Sequence, residues 1–175
     1  MLILSFTVLA VSGLPQKYPD TGWGSTLIAL MGGIESTRII HHTAAIVLMV
    51  ETVFHFLDVF YKVWVKRTPM TIMPGWQDVK DAWQAFMYNW GFADEPPKMG
   101  RYTFAEKAEY WALIWGTVIM IITGLMLWNP IATAVLLPGQ LIPAAKAAHG
   151  GEALLAVLSI LTWHVYHVHI KHFNK

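Results

Sequence analysis

The chain contains no cysteine. That excludes disulfides, Cys-ligated iron–sulfur clusters, thiolate zinc sites and covalent CxxCH haem attachment within it. Charge is scarce too. Asp, Glu, Lys and Arg make up 13% of the 175 residues, against about 25% in a soluble globular domain. Neither sign dominates, and a net charge of +1 gives no electrostatic case for nucleic acid as a partner. What is present in excess is apolar: 55% hydrophobic residues and a mean hydropathy of +0.46. This excludes a disordered chain and disfavours a water-soluble one. Nine Trp, eight Phe and six Tyr suit the aromatic belts of a membrane protein. With thiolates missing, the strong ligand that remains is histidine, of which there are eight.

The length fits a single membrane-embedded domain, residues 1–175. A spanning helix needs about 20 mostly apolar residues, and three runs qualify: Ile39–Val65, Phe104–Trp128 and Ala147–Ile170. A fourth run, Met1–Leu14, reaches only ~21 Å at 1.5 Å per residue. No basic segment precedes it, so it does not read as a signal peptide. It reads as the far end of a first transmembrane helix whose start lies outside the sequence. The expected fold is therefore all-α, a transmembrane four-helix bundle. Of the twelve basic residues, nine lie in the middle loop, its flanks and the C-terminal end, and Lys17, Arg38 and Lys146 lie on the other side. The positive-inside rule then puts the middle loop and both termini in the cytoplasm. Within that loop, Gly75–Trp90 carries Trp76, Val79, Trp83, Phe86 and Trp90 at helical spacing, opposite Asp78, Asp81 and Gln84. Such an amphipathic helix lies in the membrane interface or packs on a partner subunit.

A weak internal repeat runs through the chain. Ser12-Gly13-Leu14 closes the first helix and Thr123-Gly124-Leu125 falls near the end of the third. Each precedes a helix that opens with His and Ala: His41-His42-Thr43-Ala44 and Ala148-His149-Gly150-Gly151. Two related hairpins make a four-helix bundle, a natural frame for a cofactor.

The histidines, His41, His42, His55, His149, His164, His167, His169 and His172, gather on the second and fourth of these helices. Ionisable side chains in a membrane are costly and mark function by default. His41 and His55 are separated by about −40° of rotation and a ~21 Å rise, whereas His42 is turned about 140° from His55. His149 and His164 are separated by about 60° and ~22 Å. Both helices start on the outer side, so His41 is level with His149 and His55 with His164. Two levels of paired imidazoles suggest two haems, with these four residues as axial iron ligands. Gly124, Gly150 and Gly151 offer close approach to the macrocycle. His167 shares a face with His149 one turn beyond His164. Glu152, three residues after His149, is placed to orient its imidazole. Asp58, three after His55, could do the same or deliver a proton to a quinone; for Glu51, Glu152 and Asp58 a structural hydrogen bond is the plain alternative. Two rival readings remain: a transmembrane metal-ion carrier using the histidines as ligands, and a haem-free membrane anchor.

Arg38-Ile39-Ile40-His41-His42-Thr43-Ala44-Ala45, Glu106-Lys107-Ala108-Glu109-Tyr110-Trp111, Thr123-Gly124-Leu125-Met126-Leu127-Trp128 and Trp163-His164-Val165-Tyr166-His167 resemble the four-helix dihaem cytochrome b family. These are membrane subunits of respiratory formate dehydrogenases, thiosulfate reductases and nickel–iron hydrogenases. The resemblance covers essentially the whole chain. It implies a prokaryotic inner-membrane protein with two b haems. Such a subunit exchanges electrons between a quinone (menaquinone or ubiquinone) and a peripheral redox subunit of iron–sulfur, multihaem c or molybdenum/hydrogenase type. It implies His41 and His149 as outer-haem ligands and His164 as an inner-haem ligand, with a quinone site beside the inner haem, where His167 and Asp58 are candidates. The family's other inner ligand is a first-helix His, which is absent here; His55 is the available replacement.

Overall fold

Apolar segments in a hydrocarbon layer must satisfy their backbone polar groups internally, so they form helices. The computed structural model describes residues Leu2 to Ile170, apart from the side chains of His164, His167, Val168 and His169. Its helices are α1 (Leu2–Lys17), α2 (Gly22–Leu30), α3 (Ile34–Phe60), α4 (Trp76–Asn89), α5 (Phe104–Trp128), α6 (Pro130–Leu136) and α7 (Leu141–Ser159). The α3 helix continues as a π-helical turn over Tyr61–Val65, and α7 as a π-helical stretch over Ile160–Ile170. No strand occurs among the described residues, so the chain is all-α as expected. Three helical segments, Ile34–Val65, Phe104–Trp128 and Leu141–Trp163, are long and apolar enough to cross a membrane.

Several boundaries differ from the sequence reading. The first helix runs through Pro15 to Lys17 rather than ending at Leu14. The connections at 18–33 and 129–140 contain α2 and α6, which carry no long periodic pattern and are made by their ends. Thr21 accepts a hydrogen bond from the Gly24 amide at 3.2 Å, and Asn129 caps the Ala132 amide at 3.0 Å with Pro130 behind it. Gly32 and Gly33 adopt φ of +88° and +94°, and this left-handed pair separates α2 from α3. The π-helical winding beyond Ser159 also means that 100° per residue does not hold as far as His164 or His167. The rotation inferred from His149 to His164 therefore needs correction.

The chain forms two compact units. One comprises Met1–Phe56 and Gly116–Lys175, the other Leu57–Trp115. In the first, α1 packs on α2 and α7, and α6 on α7. Most of its buried positions are small or hydroxylated, among them Ser5, Ser12, Thr37, Ala44, Gly116, Thr123 and Ala145, with Pro15 the exception. Large apolar side chains such as Ile39, Val50, Ile122 and Leu155 face outward. Small residues between helices with apolar ones outside are the arrangement of a membrane bundle.

The second unit contains α4. Its polar side points into the unit, where Lys107 pairs with Asp78 at 2.8 Å, Gln77 donates to buried Asp81 at 2.8 Å, and the Trp111 indole donates to the Ile72 carbonyl at 3.2 Å. The aromatic stripe points away, with Trp76, Trp83 and Trp90 between 64% and 73% exposed. The helix is thus amphipathic as expected, but with its greasy face open. Bonds from Lys107 first, and then from the Gly75 amide, hold the Asp78 carboxyl below its ordinary range.

Candidate functional site

The first unit converges on two imidazoles. His41 stands in the third turn of α3 and His149 in the middle of α7. Their ring centres are 6.3 Å apart and their planes are inclined by 74°. Each ring is held from behind by a hydroxyl on another helix. Ser12 Oγ on α1 lies 3.0 Å from His41 Nδ1, and Thr123 Oγ1 on α5 lies 3.0 Å from His149 Nδ1. The residue after each hydroxyl is a glycine, and a Cβ there would meet the ring. It would stand 2.9 Å from His41 Cε1 at Gly13, and 3.2 Å from His149 Cε1 at Gly124. The repeated Ser/Thr-Gly-Leu motif is therefore the rear support of each imidazole. The repeat was visible in the sequence; its contact with the histidines was not, because it joins residues 29 and 26 positions apart.

Other expectations are redistributed. His149 Nδ1 meets Thr123, whereas Glu152 places its carboxylate against Gly116. Of the three glycines expected to admit a macrocycle, Gly124 faces the His149 ring, Gly150 lies against the Lys17 side chain, and Gly151 opens onto empty space. His42 turns aside from His41 and stacks on Trp128, with centres 4.0 Å apart and planes 15° from parallel. Half-buried His55 has its ring centre 6.2 Å from that of Phe56. Asp58 accepts from Lys62 at 2.6 Å. Glu51 accepts from Ser5 Oγ at 2.8 Å. The side chains of His164 and His167, and all of His172, lie outside the described residues. Among the described residues, no group of three or more His, Asp or Glu is placed to hold a metal ion.

The sequence profile of the prokaryotic cytochrome b561 family matches residues 1–175. The chain belongs to that family. Among curated relatives of this cytochrome is the formate dehydrogenase cytochrome b556(fdo) subunit of Escherichia coli strain K12. It is 25% identical over 162 residues, covering 92% of this chain and 69% of the relative. The nitrate-inducible formate dehydrogenase cytochrome b556(Fdn) subunit of the same strain is 21% identical over 165 residues, covering 94% and 70%. A Shigella flexneri protein of the latter name matches equally. The cytochrome is therefore a prokaryotic membrane protein of b type, whose haem is held without covalent attachment.

The residues present fit such a group. A ring nitrogen binds a metal at ~2.0–2.1 Å with the ring centre ~1.1 Å behind it, so two imidazoles on opposite sides of one ion have centres ~6.3 Å apart. The His41–His149 separation of 6.3 Å equals that span. With each Nδ1 turned back to a hydroxyl, the Nε2 atoms are left to bind. His41 and His149 would be the residues to hold such a group, which would supply one-electron iron chemistry.

Proposed function

We propose that this cytochrome is the dihaem membrane subunit of a respiratory oxidoreductase, exchanging electrons between a quinone and a peripheral redox partner. The observation that carries the reading is the His41–His149 pair, 6.3 Å between centres and braced at both Nδ1 atoms. These two residues hold the outer haem through Nε2. His55 and His164 are assigned to the inner one, about 21 Å further along α3 at 1.5 Å per residue. A haem at either level supplies one-electron iron chemistry. The protein's part is to supply ligands of fixed orientation and to keep water away with small, close-fitting residues.

The quinone site is proposed beside the inner level, from His167 and Asp58. There the Asp58 carboxylate, paired with Lys62, holds a proton-accepting group near the end of α3. Menaquinone and ubiquinone are both compatible with these residues. The middle loop and both termini are assigned to the cytoplasm from the distribution of Lys and Arg. The open Trp stripe of α4 then belongs in the membrane interface, where an indole has both an apolar and a polar environment. The likeness to formate dehydrogenase cytochrome subunits supports a peripheral dehydrogenase subunit as the first candidate for the partner, of iron–sulfur, multihaem c or molybdenum/hydrogenase type.

The test is anaerobic addition of menaquinol and of ubiquinol analogues to the purified oxidised complex, followed in the visible spectrum. Reduction by either supports the reading. Reduction by dithionite but by neither quinol refutes the quinone role.

A further inference from the structure

We propose that Ser12 and Thr123 are a matched pair of positioning residues. They lock His41 and His149 in the Nδ1–H tautomer and set the reduction potential of the haem these rings hold. The inference rests on the reading of His41 and His149 as axial ligands.

A hydroxyl has one proton and two lone pairs. Ser12 Oγ donates to the Val8 carbonyl at 2.6 Å, and Thr123 Oγ1 donates to the Ile119 carbonyl at 2.6 Å. Each proton is thus committed to the carbonyl four residues back, the usual habit of Ser and Thr in apolar helices. What faces the histidine, 3.0 Å away in both cases, is therefore a lone pair. A lone pair on oxygen requires a hydrogen on Nδ1.

A neutral imidazole carries one hydrogen, so Nδ1–H leaves Nε2 with the free pair on each ring. A packing role alone would explain a small residue at position 12, which is 1% exposed. It would not explain the same hydroxyl geometry, followed by the same glycine, on both helices. Nor is the support interchangeable with the neighbouring imidazole, because His42 lies on Trp128.

Accepting a bond from Nδ1–H draws that proton outward and makes Nε2 a stronger donor. A stronger donor favours ferric over ferrous iron. Removing the acceptor therefore raises the midpoint potential. Outer-shell partners of this kind are worth about tenfold or more, and tenfold in a one-electron equilibrium is ~59 mV.

The experiment uses the full chain in its native complex, with Ser12→Ala, Thr123→Val and the hydroxyl-keeping controls Ser12→Thr and Thr123→Ser. Haem per chain and the outer-haem midpoint potential are measured, together with the low-temperature EPR spectrum of the ferric form. The expected result is an upward shift of about tenfold in the ferrous-to-ferric ratio for S12A and T123V, with S12T and T123S at the wild-type value. Loss of the outer haem in S12A or T123V, with retention in S12T and T123S, also supports the proposal. It is overturned if S12A and T123V keep the haem at the wild-type potential, or if the hydroxyl-keeping controls shift as far as the hydroxyl-free variants. A wild-type complex without haem refutes instead the ligand assignment on which the proposal stands.

Discussion

Gly13→Ala tests the tightness of the imidazole support most sharply. The added Cβ would lie 2.9 Å from His41 Cε1, whereas carbon atoms rest at about 3.5–4.0 Å. The ring has to retreat by ~0.6 Å from α1. That stretches its 3.0 Å bond to Ser12 to ~3.6 Å, at which a hydrogen bond no longer exists. At Gly124 the corresponding contact is 3.2 Å, so a retreat of ~0.3 Å suffices and the Thr123 bond survives at ~3.3 Å. Gly22 has nothing within 4 Å of its Cβ position, so alanine there is harmless and gains helix propensity. G13A is expected to weaken outer-haem binding by about tenfold or more and to cost about 1–3 kcal/mol of overpacking. G124A is expected to show a smaller loss, and G22A none. Haem-to-chain ratio during dilution and thermal unfolding in detergent read both effects. Wild-type behaviour of G13A, or a larger defect in G124A, refutes the reasoning.

Further outcomes follow from the same geometry. His42→Phe preserves the stack on Trp128 and is expected to keep the full haem complement, whereas His41→Phe loses one haem; equal loss in both would remove the distinction between them. Ser5→Ala removes the hydroxyl that donates to Glu51 Oε2 while Glu51 Oε1 is already buried without a partner, so stability should fall by about 1–3 kcal/mol, read as a lowered Tm; no change would show that this bond carries no weight. The Asp78–Lys107 pair predicts an acid dependence. Asp78 has a folded pKa below its unfolded value, so its contribution is complete above the unfolded value and disappears as pH falls through the folded one, below about pH 4. Trp fluorescence should then change in acid for the wild type, with a smaller change in Asp78→Asn; superimposable profiles would contradict the assignment.

Much of this fold can be read from the sequence, for identifiable reasons. Phe104–Trp128 coincides with its apolar run because a membrane helix is specified by length and hydropathy alone. The α4 helix is legible because Trp76, Trp83 and Trp90 repeat at helical spacing, although periodicity does not say which face turns outward. The α2 and α6 helices escape notice, since they depend on caps at Thr21 and Asn129 and on the Gly32-Gly33 pair rather than on a periodic stripe. Height along the two helices puts His41 level with His149 in the sequence reading, and the two rings stand 6.3 Å apart, both in regular α-helix. His164 lies beyond the change to π-helical winding at Ile160, where helical-wheel arithmetic loses its register. The roles of Ser12 and Thr123 depend on the approach of different helices. A repeat in sequence indicates that such positions are related but not what they touch.

The most direct measurement is haem b per chain, from reduced-minus-oxidised spectra of the wild-type complex and of His41→Ala and His149→Ala. Two haems in the wild type, with loss of the same single haem in both variants, is the predicted result. A wild type without haem, or variants that retain the wild-type complement, would contradict the account.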